Sequence, residues 1–410
     1  MRRVSPRVLD PNVRLLYVAT LLFGTACGIS ISLTPHHLKE CGFTQSDIGW
    51  LAAWFALGIV LFSLPAGALI RRFSAKTTLI AALVSYTVCV AVFPFLPSFK
   101  SIAFVRFFDG ASSVGIWVAS ETILLSRTRN EDKAHFTSLY AIYLASGYVL
   151  GPALAYGLAE QAKAPNWVGF LVSGAFVMIA ALYVALRLER DVPIRSQPSP
   201  EEAAPAEKPA SGLSILRQIK TSCFATFAYG YFQSSVVLFL PLYLMESKKF
   251  AKSQTIVFTG LFALGMLLFS NPAGRIADRF GRLRVMRALG VVGTLMILGF
   301  VFLDSYVLMC AAVFVAGCTL ASIAPVSLAL QGVIIEKKNY SRSNAIYNVF
   351  YAMSMLLGPP ISSAIIDLYS AKEMLFHLAA LWATFVVFTI IFHADDPAAA
   401  KGRFAPSRSA

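Results

Sequence analysis

Apolar runs of roughly twenty residues recur twelve times along this 410-residue chain, and no other feature restricts its fold as strongly. The runs fall near 14–35, 47–70, 77–97, 101–125, 136–159, 166–187, 221–244, 255–275, 285–303, 306–334, 344–366 and 373–393. A helix needs about 20 such residues to cross the ~30 Å hydrocarbon core of a bilayer. Membrane strands are instead ~10 residues long and alternate in polarity, a pattern these continuous runs lack. The expected fold is therefore an all-α membrane protein of twelve transmembrane helices. Composition agrees: 57% of residues are hydrophobic and 14% charged, against about 25% charged in soluble domains. Lipid rather than water should cover most of the outer surface.

The loops carry the topology. The loops and tails on the side of both termini hold 27 Lys and Arg, the opposite side holds 7, and Arg106 lies inside a run. The positive-inside rule then places both termini in the cytoplasm of a cell whose plasma (inner) membrane holds the protein. The net charge of +14 is spread through these loops rather than gathered in a patch, so no nucleic-acid partner is expected. Arg2-Arg3 reads as part of a cytoplasmic tail, because the run after it is too long for a signal-peptide core. Five of the six cysteines lie in apolar runs and only Cys41 in a loop, so no disulfide framework or metal spacing is seen. The stretch from Glu189 to Lys220 is rich in Pro, Glu and Ala, cannot bury a core, and reads as a flexible linker. The expected organisation is a tail (1–13), a six-helix bundle (14–188), a linker (189–220), a second six-helix bundle (221–393) and a tail (394–410).

The two halves repeat. Residues 55–67 read FALGIVLFSLPAG and residues 262–274 read FALGMLLFSNPAG, identical at ten of thirteen positions. The same offset of 207 maps Gly151-Pro152 onto Gly358-Pro359 and Tyr140 onto Tyr347. Six helices separate the copies, so both cross the membrane in the same sense. Parallel repeats of this kind place a solute site near the bilayer midplane between the halves, with the bundles related by a pseudo-twofold axis along the membrane normal.

Residues 274–284 read GRIADRFGRLR, with Gly274, Asp278, Arg279, Gly281 and Arg282 at the positions of the pattern Gly-x-x-x-Asp-Arg-x-Gly-Arg. The loop one repeat earlier reads GALIRRFSAKT, where Arg71 stands in place of Asp, Ser74 in place of Gly and Ala75 in place of Arg. Helix 4 carries Arg106-Phe-Phe-Asp109-Gly110, and helix 5 carries Gly147-x-x-x-Gly151-Pro152. On these motifs, and over all but the tails and linker, the chain resembles the major facilitator superfamily of secondary transporters. The resemblance implies alternating access between two bundles, a loop at Asp278 that latches the cytoplasmic side closed, and an antiporter-like helix 5. It calls for no cofactor and for a monomer.

Charge inside the membrane costs at least ~2.5–3.5 kcal/mol and marks function by default. Arg106 and Asp109 are three residues apart and can pair on one helix face. Glu121 lies 15 residues beyond Arg106, within 60° of the same face and about 22 Å along the axis. These three are the proton-coupling candidates, and Arg106 and Asp109 are expected to face the space between the halves rather than lipid; a buried structural ion pair is the plainer alternative for those two. For Glu121 the alternative is an interfacial carboxylate paired with Arg127 or another cytoplasmic base. Tyr140, Tyr143, Tyr229, Gln233, Gln331, Tyr347, Asn348 and Tyr351 are the solute-cavity candidates and suit an uncharged or amphiphilic solute. Thr44 and Asp47 read as a helix-capping box, and His36 and His37 as interfacial residues. No nucleotide-binding loop, catalytic triad or metal cluster is seen, so an enzyme is not expected. The expected activity is secondary transport of a small solute, proton-coupled and of the efflux or antiport kind. A facilitative or symporting carrier of a sugar or metabolite, and a non-transporting receptor on the same scaffold, are the alternatives.

Overall fold

A computed structural model describes residues 10–128, 133–189, 211–336 and 339–393. Its helices are α1 Pro11–Glu40, α2 Gln45–Phe73, α3 Ala75–Val92, α4 Phe99–Ser126, α5 Lys133–Tyr156 and α6 Asn166–Arg187 in the first half. The second half holds α7 Gly212–Glu246, α8 Lys252–Phe280, α9 Arg282–Phe302, α10 Tyr306–Ile334, α11 Tyr340–Leu368 and α12 Ala371–Ile391. All twelve contain a stretch long and apolar enough to cross a membrane.

Side chains at the boundaries account for where these helices start. The Asp10 carboxylate accepts from the Asn12 N–H at 2.8 Å, ahead of Pro11 at the first helical position. Thr44 and Asp47 form the expected reciprocal box: the Thr44 N–H donates to Asp47 at 3.0 Å and the Asp47 N–H to Thr44 Oγ1 at 3.1 Å. Ser98 and Ser101 cap α4 in the same way. α7 begins earlier than its apolar run suggests, at Gly212, so the last part of the expected linker is helical. Ser211 caps it, and Ile215 and Ile219 bury one face against Ile335 while Arg217 stays exposed. An apolar window misses such an amphipathic extension.

The chain forms two compact units. Unit 1 holds the described parts of Met1–Phe43 and Trp54–Ser199 together with Lys252–Gly260; unit 2 holds those of Thr44–Ala53, Pro200–Ala251 and Leu261–Ala410. The first turns of α2 and α8 thus each pack with the other half's helices. Within unit 1 the closest pairings are α1 with α5 and α6, and α3 with α4 and α6. Unit 2 repeats the scheme with α7 on α11, and α9 on α10 and α12.

The repeat is built from close backbone crossings. A Cβ added to Gly110 of α4 would lie 2.0 Å from the Phe55 carbonyl oxygen of α2, and one on Gly58 would lie 2.0 Å from that of Phe107. One offset later, Gly317 meets the Phe262 carbonyl at 2.2 Å and Gly265 that of Phe314 at 2.4 Å. Only glycine permits backbones to touch in this way, the usual device for packing helices in lipid. The sequence identity of the two copies therefore maintains one helix crossing made twice.

Candidate functional site

α4 carries the buried charge. Arg106 Nη1 donates to Asp109 Oδ2 at 2.5 Å, with the two side chains 17% and 9% exposed. The Arg106 guanidinium lies 4.5 Å from the Phe55 ring centroid and 6.0 Å from that of Phe93, a desolvated cation–π setting. Cys27 of α1, with its sulfur 3.4 Å from the Tyr86 hydroxyl, and Cys89 of α3 lie within electrostatic range of Asp109. The pair is thus enclosed by α1, α2 and α3 within unit 1. Asp109 Oδ1 is buried and has no hydrogen-bond partner among the described residues.

Further along α4, Trp117 Nε1 is also buried and unpartnered. Glu121 forms no ion pair among the described residues. Arg127 contacts Asp10 at 3.8 Å and Glu189 at 3.4 Å. Tyr140 of α5 lies against Ser120 and Thr20, with Glu121 within electrostatic range. Tyr143 stacks on Tyr17 with centroids 5.0 Å apart, and the Tyr17 hydroxyl donates to the Phe136 carbonyl at 2.9 Å. Unit 1 therefore gathers two of its expected cavity tyrosines, Glu121 and the unforeseen Tyr17 on adjacent faces of α1, α4 and α5.

Unit 2 builds its counterpart from α7, α10 and α11. The Tyr347 hydroxyl lies 2.9 Å from Ser327 Oγ and donates to the Ala324 carbonyl at 3.1 Å. Tyr347 and Ser327 are the repeat equivalents of Tyr140 and Ser120, so one tyrosine–serine pairing occurs in both units. The Tyr229 and Tyr351 rings are near parallel with centroids 6.5 Å apart, and the Tyr351 hydroxyl donates to Gln233 Oε1 at 3.3 Å. Gln331 Nε2 donates to Ser343 at 2.9 Å, leaving its Oε1 buried and unpartnered among the described residues. Asn348 lies apart from these bonds on an exposed face of α11.

Three histidines differ from the sequence reading or escaped it. His36 and His37, expected at the interface, are 2% and 7% exposed. His36 Nε2 sits 3.1 Å from Thr255 Oγ1 of α8, and His37 packs on Phe93 and Phe170. Neighbouring helices cover the end of α1, which chain position alone cannot reveal. His377 of α12 lies 2.9 Å from the Tyr231 hydroxyl; a histidine inside an apolar run was the available signal.

The motif residues divide by copy. Gly147 and Gly151 seat α5 on α1, where added Cβ atoms would lie 2.6 Å from Gly24 C and 2.5 Å from the Thr25 carbonyl oxygen. Pro152 packs on Gly28. Gly358 approaches the Tyr231 carbonyl of α7 in the same way, and the Pro359 carbonyl faces Gly49. After α8, Arg282 donates to Asp278 at 2.6 Å and Arg279 lies over Phe280. Gly274 faces open space, while Gly281 adopts φ 98° to start α9. In the first copy Arg71 and Arg72 are exposed without an acidic partner among the described residues, and Ser74 adopts φ 94°.

Twelve helices apolar enough to cross a membrane, a duplicated six-helix packing scheme, and polar clusters buried among those helices define a polytopic membrane transporter fold. The chain matches the Major Facilitator Superfamily over residues 16–251 and again over 222–409, and it belongs to that family. It is 23% identical over 372 residues to YcaD of Salmonella arizonae, described as an uncharacterized MFS-type transporter, covering 90% of this chain and 92% of that one. Its fold is similar to the crystal structure of the nucleoside transporter NupG, with a TM-score of 0.73 at 14% identity over 97% of this chain and 100% of the other. It is also similar to a bacterial homologue of the human lysosomal transporter Spinster in an inward-facing, occupied conformation. The TM-score there is 0.76 at 12% identity, over 98% of this chain and 100% of that one.

Proposed function

We propose that this transporter couples the movement of an uncharged or amphiphilic solute to protons by alternating access, in the direction of efflux, with both termini in the cytoplasm. The Arg106–Asp109 pair carries the reading. Asp109 gives one oxygen to Arg106, and its second oxygen is buried with no donor. A buried acceptor left unmade costs ~1–3 kcal/mol, more when charged. A proton on that oxygen neutralises the buried charge and loosens the hold on Arg106, so protonation and helix 4 packing are linked. Glu121, without an ion-pair partner among the described residues and within electrostatic range of Tyr140, is a second exchange point between this pair and the cytoplasm.

Reconstituted flux under an imposed pH gradient is the test. Asp109→Asn is expected to lower gradient-driven transport at least tenfold, while solute exchange without a gradient persists; Glu121→Gln should weaken coupling less. Unchanged gradient dependence in both variants removes these carboxylates from the proton path. Tyr229, Gln233 and Tyr351 support a second reading, a facilitative or symporting carrier of an uncharged metabolite, since they offer only rings and neutral hydrogen-bonding groups. Solute flux into vesicles that is indifferent to pH gradients would favour it.

A further inference from the structure

The first turns of α8, through Gly260, pack within unit 1, while the helix continues from Leu261 into unit 2. A polar network holds them there, at the end of α8 opposite Asp278. Lys252 opens the helix, and its ammonium lies 3.0 Å from a carboxylate oxygen of Glu40 at the end of α1. Asn166, buried at the start of α6, bridges the two. Its amide nitrogen donates to the other Glu40 oxygen at 2.5 Å, and its amide oxygen accepts from Lys252. One turn further in, Thr255 gives its proton to the Lys252 carbonyl at 2.8 Å. The Thr255 oxygen, 3.1 Å from His36 Nε2, therefore accepts from the imidazole, which leaves His36 Nδ1 bare. That nitrogen is buried and has no partner among the described residues.

The repeat shows that packing alone does not call for this network. One offset earlier, the first turns of α2 pack within unit 2. There Gln45 replaces Lys252, Ile48 replaces Thr255 and Tyr243 replaces His36, so the cation and the threonine hydroxyl are both missing. Gln45 Oε1 and the Tyr243 hydroxyl are buried without a partner among the described residues. The network of α8 is also finely balanced. A partly exposed ion pair and hydrogen bonds from Asn166 and His36 hold the turns, while the bare buried acceptor on His36 opposes their staying packed. We propose that Lys252, Glu40, Asn166, Thr255 and His36 form a latch that pins the first turns of α8 to α1 and α6, and whose release frees those turns to follow the rest of the helix. The inference rests on the alternating access proposed above.

The test reads release directly in the purified full-length protein in lipid nanodiscs. Ser253, buried on the latched turn, is changed by Ser253→Cys in a Cys41→Ser background, and labelling by a charged maleimide is timed at each site by peptide mass spectrometry. Cys27 and Cys89, buried in unit 1, report unfolding. The latched protein should label slowly at position 253. Glu40→Gln should speed that labelling about twofold to fivefold, the range of a partly exposed ion pair, and Glu40→Gln/His36→Leu at least about tenfold, with Cys27 and Cys89 still protected. Glu40→Lys should also speed it, and Glu40→Lys/Lys252→Glu should restore slow labelling, because the Asn166 amide can turn over to serve the reversed charges. Unchanged labelling in both Glu40→Gln variants, acceleration seen only together with labelling of Cys27 and Cys89, or a reversed pair that labels as fast as Glu40→Lys would each overturn the latch. The assay uses neither solute nor pH gradient, so its failure is distinct from a failure of proton coupling in Asp109→Asn.

Discussion

Ser74 occupies a backbone conformation that its relative in the second half reserves for glycine. Its φ and ψ are 94° and 155°, and Gly281, one repeat later, has 98° and 130°. For a residue bearing a Cβ this region costs of order 1–3 kcal/mol. Ser74→Gly removes that strain and loses two smaller contributions. One is the cap that Ser74 Oγ provides by accepting from the Thr77 N–H at 3.3 Å, where glycine is only a few tenths of a kcal/mol poorer. The other is the greater conformational freedom of glycine in the unfolded chain, ~0.5–1 kcal/mol. A net gain of about 1 kcal/mol is expected, a shift of roughly 2–4 °C on the scale of a domain of this size. A thiol-reactive dye gives the assay: Cys27, Cys89 and Cys223 are buried and label only on unfolding, while exposed Cys41 sets the baseline. Unfolding in detergent is read as an apparent midpoint at one scan rate. Ser74→Ala keeps the strain and loses the cap, so its midpoint should fall. A Ser74→Gly midpoint at or below the wild type would refute the strain argument.

Gly110→Ala and Gly317→Ala should each lower the apparent midpoint, because both push a methyl into a carbonyl at about 2 Å and overpacking costs ~1–3 kcal/mol. Gly274→Ala faces open space and should be neutral or stabilising in the same assay. In the connection between α9 and α10, the Lys248 ammonium, 2.6 Å away, holds the Asp304 carboxyl below its usual range. The folded value is the lower one, so its small contribution is present at neutral pH and disappears as pH falls through the carboxylate range. The midpoints of wild type and Asp304→Asn should therefore differ at pH 7 and converge below about pH 3; a gap that persists in acid contradicts this.

Much of this protein is legible from its sequence because lipid imposes one rule on every segment: backbone groups must be bonded internally, so twenty apolar residues become a helix. The same rule made the duplication visible, since the Phe55 to Gly67 copy and the Phe262 to Gly274 copy retain the glycines on which helices cross. Spacing along a single helix was enough to pair Arg106 with Asp109 and Thr44 with Asp47, because residues three apart on a helix or its cap are already neighbours. Tertiary packing decided the rest. That Asp109 keeps one oxygen without a donor depends on which side chains of α1, α2 and α3 close around it. His36 meets Thr255, and His377 meets Tyr231, across more than a hundred residues of chain, and no periodicity within one helix reports such a contact.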